Sequence, residues 1–144
     1  MMIPSMTIPL WVMLGFAAWT LALLTASIGF YRWSRIFTGR ARIAGWNSDG
    51  TDGSGWYQRA TRAHLNCIEN LPVYGAVAVT AALTGVGGRD LDALALVFIA
   101  ARIGQSLVHV TREQTEPIAA LRFGLYLVQC VCVVWMGVLV AVRA

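Results

Sequence analysis

The sequence has few charged residues and no lysine. Charged residues make up 12% of the 144 positions, whereas 58% are hydrophobic, which is far more apolar than a typical soluble domain. All 11 basic residues are Arg, and the formal net charge is +4. In a soluble protein this excess would suggest nucleic acid, but here the Arg residues border or enter apolar segments. We therefore expect a membrane protein whose Arg residues set topology and pair internally, with no nucleic-acid partner.

The cysteines lack the spacing of a redox or metal motif. Cys67, Cys130 and Cys132 form no Cys-x-x-Cys pair, and all three lie inside apolar segments. This pattern argues against a disulfide framework, a structural zinc site and a quinone-linked thiol oxidase. No group of His, Cys and carboxylates has metal-ligand spacing, so we expect no metal. Since a free Cys behaves as a small hydrophobe, buried thiols are predicted.

Four apolar segments are each long enough to cross a hydrocarbon core, which takes about 20 residues. The first is too long for a signal peptide, and no Ala-x-Ala cleavage site follows it. It also lacks the embedded carboxylate that a small multidrug transporter needs in its first helix. Pro72 predicts a kink in the second segment. The sequence thus predicts one all-α domain over residues 1–144, a four-helix membrane bundle with helices at 8–31, 56–84, 91–111 and 118–142.

The Arg residues are distributed unequally between the two ends of these segments. Six Arg residues lie between the first helix and the start of the second: Arg32, Arg35, Arg40, Arg42, Arg59 and Arg62. Arg112 and Arg122 add to the same side, whereas the other side has Arg89 and Arg143. The positive-inside rule then places both termini outside and the Arg-rich loops in the cytoplasm. The Lys-free, Gly- and Arg-rich composition suggests a bacterial source and hence a bacterial inner membrane.

Three of the predicted helices carry a polar stripe near the cytoplasmic side. With about 100° between successive residues, the following sets each share a face: Arg59, Arg62, Asn66 and Glu69; Arg102, Gln105, Ser106, His109 and Arg112; Arg122, Tyr126 and Gln129. Lipid cannot satisfy these groups, so the stripes must face one another or a partner subunit.

The stripes have a structural and a functional interpretation. Glu69 and Arg102 could form an ion pair between helices, since polar residues hold membrane helices together. However, basic groups outnumber the one deep carboxylate, which favours a small anionic ligand carrying amides and carboxylates. His64 lies on the opposite side of helix two from Arg62 and is expected to form an interhelix hydrogen bond. For His109, ligand contact and structural hydrogen bonding are both open.

Two strings resemble the signatures of the MAPEG family of glutathione-dependent membrane enzymes. RATRAHLNCIENLPVYG resembles the second-helix signature, and ARIGQSLVHV resembles the third-helix segment. The resemblance implies a homotrimer of four-helix subunits in contact with membrane lipid, with glutathione as co-substrate bound between subunits near the cytoplasmic face. It implies a transferase that conjugates glutathione to lipophilic electrophiles, or a peroxidase that reduces lipid hydroperoxides. The alternative is a non-enzymatic membrane protein of the same fold with a binding or assembly role.

The resemblance also implies the roles of individual residues. By matching positions, glutathione would be bound by Arg42, Arg62, Asn66, Glu69, Gln105, His109 and Tyr126. Gln105 and His109 depart from the family pattern, which usually has His or Tyr and then Tyr. Arg122, at the start of helix four, would activate the thiol, with Arg112 as the other candidate. A cation lowers the pKa of a nearby thiol, and a guanidinium stays charged and presents several donors.

Overall fold

The computed structural model describes residues 6–47 and 51–144. Four long helices follow one another along the chain: α1, Ile8–Phe37; α2, Gly55–Thr84; α3, Arg89–Thr111; and α4, Glu116–Arg143. Each is long and apolar enough to cross a membrane, and the described ranges contain no strand. The predicted all-α fold with four membrane-spanning helices is confirmed.

Helix α1 is longer than the sequence predicts. The apolar run ends near Phe30, but the helix continues to Phe37 and includes a π-helical segment at Leu24–Gly29. The extension is held by contacts that the apolar pattern does not encode. Tyr31 stacks on Tyr57 of α2 with ring centroids 4.7 Å apart, and Arg32 donates a hydrogen bond to the Tyr57 hydroxyl. These contacts pack the polar end of α1 against the start of α2.

Helix α2 has clear signals at both of its ends. The Ser54 hydroxyl accepts a hydrogen bond from the backbone N–H of Tyr57, 3.4 Å away, as an N-cap does. Gly85 follows the last turn with φ of 71°, a left-handed conformation that glycine adopts without steric cost. Between these ends the helix continues through Pro72, where the sequence predicts a kink.

An aromatic cluster fills the centre of the bundle. Phe16 of α1 meets Phe98 of α3 edge to face at 5.5 Å, and Tyr74 of α2 stacks on Phe98 at 4.4 Å. Near this cluster, His64 Nδ1 lies 3.1 Å from the Thr20 carbonyl oxygen, which confirms the expected interhelix hydrogen bond. The three cysteines are free, and Cys67 and Cys132 are buried. The centre of the bundle thus joins α1, α2 and α3 into one core.

The two ends of the bundle differ in how charge is arranged. At the end that carries the C-terminus, Arg143 and Asp90 form an ion pair at 2.5 Å, the only one among the described residues. The ion pair between Glu69 and Arg102, which the sequence left open, is therefore not formed within the described chain. Both groups lie toward the opposite end of the bundle, where the polar stripes meet.

Candidate functional site

A cavity of about 350 Å³ opens between α2, α3 and α4 at this polar end. Its walls are formed by Asn66, Glu69, Asn70, Gln105, His109, Ala119, Arg122, Phe123 and Tyr126. Within each helix the lining residues recur three or four positions apart, with Glu69–Asn70 and Arg122–Phe123 as adjacent pairs, so each helix contributes one face. The volume lies at the lower end of the range for small-molecule sites, roughly 300–1,000 Å³.

Arg122 and His109 are joined across the cavity wall. Arg122 Nε donates to His109 Nε2 at 3.0 Å, and Asn66 Nδ2 lies 3.3 Å from the same nitrogen. Because Nε2 accepts, the imidazole is neutral and carries its proton on Nδ1. Among the described residues, no hydrogen bond engages the two terminal amino groups of Arg122. The wall therefore holds a cation by its Nε and leaves its two terminal amino groups available to donate.

Gln105 is the centre of a second hydrogen-bond network. Its Oε1 accepts from Arg102 Nη1 at 3.0 Å and from Gln129 Nε2 at 3.1 Å. Its Nε2 donates to the backbone oxygen of Arg122 at 3.0 Å. The side chain thus links α3 to the first part of α4 and fixes the position from which Arg122 extends.

The structure brings together most of the residues that the sequence predicts. Of the eight predicted site residues, six line the cavity: Asn66, Glu69, Gln105, His109, Arg122 and Tyr126. Arg62 is exposed and lies outside the lining, one turn before Asn66 on the same helix.

Two other arginines lie away from the cavity. Arg42 is exposed in the loop after α1, directly before the short 3₁₀ turn Ile43–Gly45, and the chain does not bring it to the cavity. Arg112 is the exposed C-cap of α3 and is not part of the lining. Of the two candidates for activating a thiol, Arg122 alone lines the cavity.

Sequence reasoning missed Asn70 and Phe123, which also line the cavity. Asn70 had a usable signal, since it follows Asn66 by four residues and extends the same stripe by one turn. Phe123 had none, because an aromatic residue in an apolar helix is equally compatible with lipid contact.

The cavity is open at the side of the bundle. Phe123 is 66% exposed and Tyr126 is 42% exposed, and Glu69 is also exposed. An exposed carboxylate on a helix of membrane-spanning length would have no partner in lipid. The site within one chain is thus lined by polar groups on its inner side and left open on its outer side.

Comparison with curated proteins and with solved structures finds no significant match. The MAPEG family model, however, matches residues 8–142, a range that includes almost all of the four helices and every residue of the cavity. This match confirms the resemblance inferred from the second- and third-helix strings. With its four helices of membrane-spanning length and this near-complete match, the chain is a multi-pass membrane protein that belongs to the MAPEG family.

Proposed function

We propose that the protein is a glutathione-dependent membrane transferase that also reduces lipid hydroperoxides. The MAPEG family includes glutathione transferases and related enzymes, together with members that are not enzymes. The observation that carries the proposal is the cavity between α2, α3 and α4. It combines one cation with free donors, one carboxylate and three amides within a single wall.

The lining groups complement the chemistry of glutathione. The tripeptide carries an α-ammonium, two carboxylates, two amides and a thiol. Among the residues that the structure describes, Glu69 is the only carboxylate in the lining and is the natural partner of the ammonium. Asn66, Asn70 and Gln105 suit the peptide groups. Arg122 is left for the sulfur, since charge-assisted bonds to a guanidinium are the strongest available there.

The two glutathione carboxylates require further cations. Arg62 lies one turn before Asn66 and is free to bind one of them from the rim of the cavity. Arg42 is proposed to bind the other from a neighbouring subunit, because the chain does not place it at its own cavity. This arrangement would also close the open side of the site, so we propose a homotrimer in which each cavity lies between two subunits.

The proposed chemistry begins with ionisation of the thiol. A guanidinium beside the sulfur stabilises the thiolate in a partly dry site, where such a charge acts more strongly than in water. The thiolate attacks an electrophilic carbon, the C–S bond forms, and the leaving group departs with the bonding electrons. With a hydroperoxide, the thiolate attacks the terminal oxygen and the O–O bond breaks. The alkoxide then takes up a proton, and a second glutathione reduces the sulfenic acid to give the disulfide and water.

The second substrate is proposed to be lipophilic and to enter from the bilayer. The open side of the cavity, with Phe123 and Tyr126 exposed, faces where lipid would be and offers apolar contact. The Arg-rich loop after α1 lies at the same end of the bundle as the cavity. By the positive-inside rule this end is cytoplasmic, where glutathione is supplied. For a bacterial cell, the membrane that we propose is therefore the inner one.

An ultraviolet difference spectrum at the thiolate band tests the proposal directly. Purified protein in detergent is mixed with glutathione, and S-methylglutathione, which cannot ionise at sulfur, serves as the matched control. A thiolate band with glutathione alone, together with turnover of an aryl halide or a lipid hydroperoxide, is the expected result. Glutathione binding without a thiolate band would favour the non-enzymatic alternative, and no binding by calorimetry would refute the proposal.

A further inference from the structure

Arg102 is a buried cation with an incomplete set of hydrogen bonds. It is 1% exposed, and its guanidinium carbon lies 5.8 Å from the centroid of the Phe16 ring. Among the described residues it has no ion-pair partner, and its Nε and Nη2 are buried without a hydrogen-bond partner. A charge in this state opposes folding, because neither water nor a carboxylate compensates for its lost hydration.

Among the described residues, the guanidinium of Arg102 donates a hydrogen bond to one side chain, Gln105 of the cavity wall. Arg102 Nη1 donates to Gln105 Oε1 at 3.0 Å. A guanidinium has donors only, so it fixes the amide with its oxygen toward Arg102 and its NH₂ group toward α4. The flipped amide would direct its NH₂ at the guanidinium and leave the Arg122 carbonyl without its donor.

The fixed amide in turn contacts the backbone of α4 in the first part of that helix. Gln105 Nε2 donates to the backbone oxygen of Arg122 at 3.0 Å, and its second N–H remains available on the cavity side. Gln129 Nε2 adds a second donor to Gln105 Oε1 at 3.1 Å but leaves its own Oε1 without a partner. Arg102 and Gln129 thus carry buried side-chain atoms without a hydrogen-bond partner, whereas the Oε1 and Nε2 atoms of Gln105 each have at least one.

We propose that Arg102 is a positioning residue, which orients the Gln105 amide and through it holds the backbone of Arg122 at the cavity. The inference rests on the proposed function for its catalytic consequence, because Arg122 is the residue assigned to the thiolate. It assigns to Arg102 no contact with glutathione. An unpaired buried charge lowers the stability of the fold, so a purely structural role does not account for Arg102. Orientation of a side chain in the cavity wall does account for it.

The test compares Arg102→Met, Gln105→Leu and the double variant. Arg102→Met keeps similar volume, and removal of an unpaired buried charge is expected to leave the melting temperature unchanged or higher. We nevertheless expect kcat to fall about 10- to 100-fold, the loss of roughly one charge-assisted hydrogen bond, and the thiol pKa of bound glutathione to rise. Gln105→Leu should act similarly, and the double variant should be no worse than the stronger single variant. Arg102→Lys should restore part of the activity.

Arg143→Met is the matched control, because Arg143 also pairs with one side chain but lies at the far end of the bundle. It should leave kcat and the thiol pKa unchanged. Additive losses in the double variant would overturn the proposal, since Arg102 would then act without Gln105. A wild-type kcat and thiol pKa in folded Arg102→Met would overturn it equally. If Arg102→Met fails to fold, Gln105→Leu and Arg102→Lys still test the hydrogen bond between Arg102 and Gln105, each by changing one of its two partners.

A readout without glutathione separates this inference from the proposed function. The Gln105 side-chain N–H that is bonded to the Arg122 carbonyl, identified in an NMR spectrum by its loss in Gln105→Leu, should exchange with water slowly. Arg102→Met should accelerate this exchange about 10-fold or more, whereas Arg143→Met should not change it. If the wild type binds no glutathione, the proposed function fails while accelerated exchange still supports the orienting contact. Unchanged exchange would refute the contact whether or not glutathione binds.

Discussion

Arg122 donates from Nε to Nε2 of His109 at 3.0 Å, which joins the start of α4 to the end of α3. The bond restricts the long Arg side chain at its base and leaves both terminal amino groups unbonded among the described residues. A neutral imidazole suits this role, because it accepts from the guanidinium without cancelling its charge. Of the two interpretations that the sequence left open for His109, the structural hydrogen bond is present. Contact with a ligand stays a prediction, at a residue that lines the cavity.

Substitutions of the two histidines should have different effects, at His109 on the chemistry of the thiol and at His64 on the stability of the fold. His109→Phe frees Arg122, so we expect lower transferase turnover and a higher pKa for the thiol of bound glutathione, with a small change in melting temperature. His64→Phe removes the hydrogen bond to the Thr20 carbonyl. It should lower the free energy of unfolding by about 1 kcal/mol and leave the thiol pKa unchanged. Thermal unfolding and thiolate absorbance, measured on both variants, check the division. The reverse pattern would show that the assigned roles are exchanged.

Two substitutions on α2 should weaken glutathione binding. Glu69→Gln removes the partner proposed for the α-ammonium, and Arg62→Ala removes a partner proposed for a carboxylate. Each lost charge-assisted bond is worth about 1.5–3 kcal/mol, or roughly one to two decades in Kd. Isothermal titration calorimetry measures the change.

Glu116→Gln is the control for Glu69→Gln, because Glu116 is an exposed carboxylate in the first turn of α4 and is not part of the cavity lining. Its Kd for glutathione should equal that of the wild type. An unchanged Kd in folded Glu69→Gln and Arg62→Ala would make the α2 stripe a structural feature only.

The helices could be predicted because their signals are local. A long apolar run fixes a spanning helix by its length alone, and Ser54 and Gly85 mark the ends of α2. The end of α1 could not be predicted in this way. It depends on contacts of Tyr31 and Arg32 with Tyr57, a residue of another helix. Apolar patterns carry no information about such contacts.

The candidate site was predictable to a similar extent. Helical spacing placed Asn66 and Glu69 on one face, and the same rule grouped Gln105 with His109. Spacing cannot show which partners these groups select, because the partners depend on how α3 and α4 cross. The orientation of Gln105 between Arg102 and the Arg122 carbonyl is of this kind. Arg42 lies in a loop, where no periodicity fixes its position relative to the cavity.

The protein should be a trimer in detergent. The reason is the open side of the cavity, where Glu69 and Tyr126 are exposed on helices of membrane-spanning length. Lipid could not satisfy a carboxylate there. Sedimentation equilibrium with the detergent contribution matched out gives the protein mass alone. Three times the 15.6 kDa chain mass is the expected result. A monomer at the concentration where turnover is measured would contradict the trimer.

Arg122 should control the ionisation of glutathione. Arg122→Ala is expected to lower turnover strongly while glutathione still binds, because Glu69 and Arg62 hold the ends of the tripeptide in the proposed arrangement. The thiol pKa of bound glutathione, read from thiolate absorbance against pH, should rise toward its value in water, since the stabilising cation is lost. Activity should therefore move to higher pH. Arg122→Lys should raise the thiol pKa less than Arg122→Ala does, because an ammonium keeps the charge but lacks the planar fork and the second amino group.

Arg112→Ala is the matched control, an arginine ten residues earlier at the exposed end of α3 and outside the cavity lining. If Arg122→Ala leaves the thiol pKa unchanged and Arg112→Ala raises it, the thiolate is stabilised by Arg112, and the cavity wall serves binding alone.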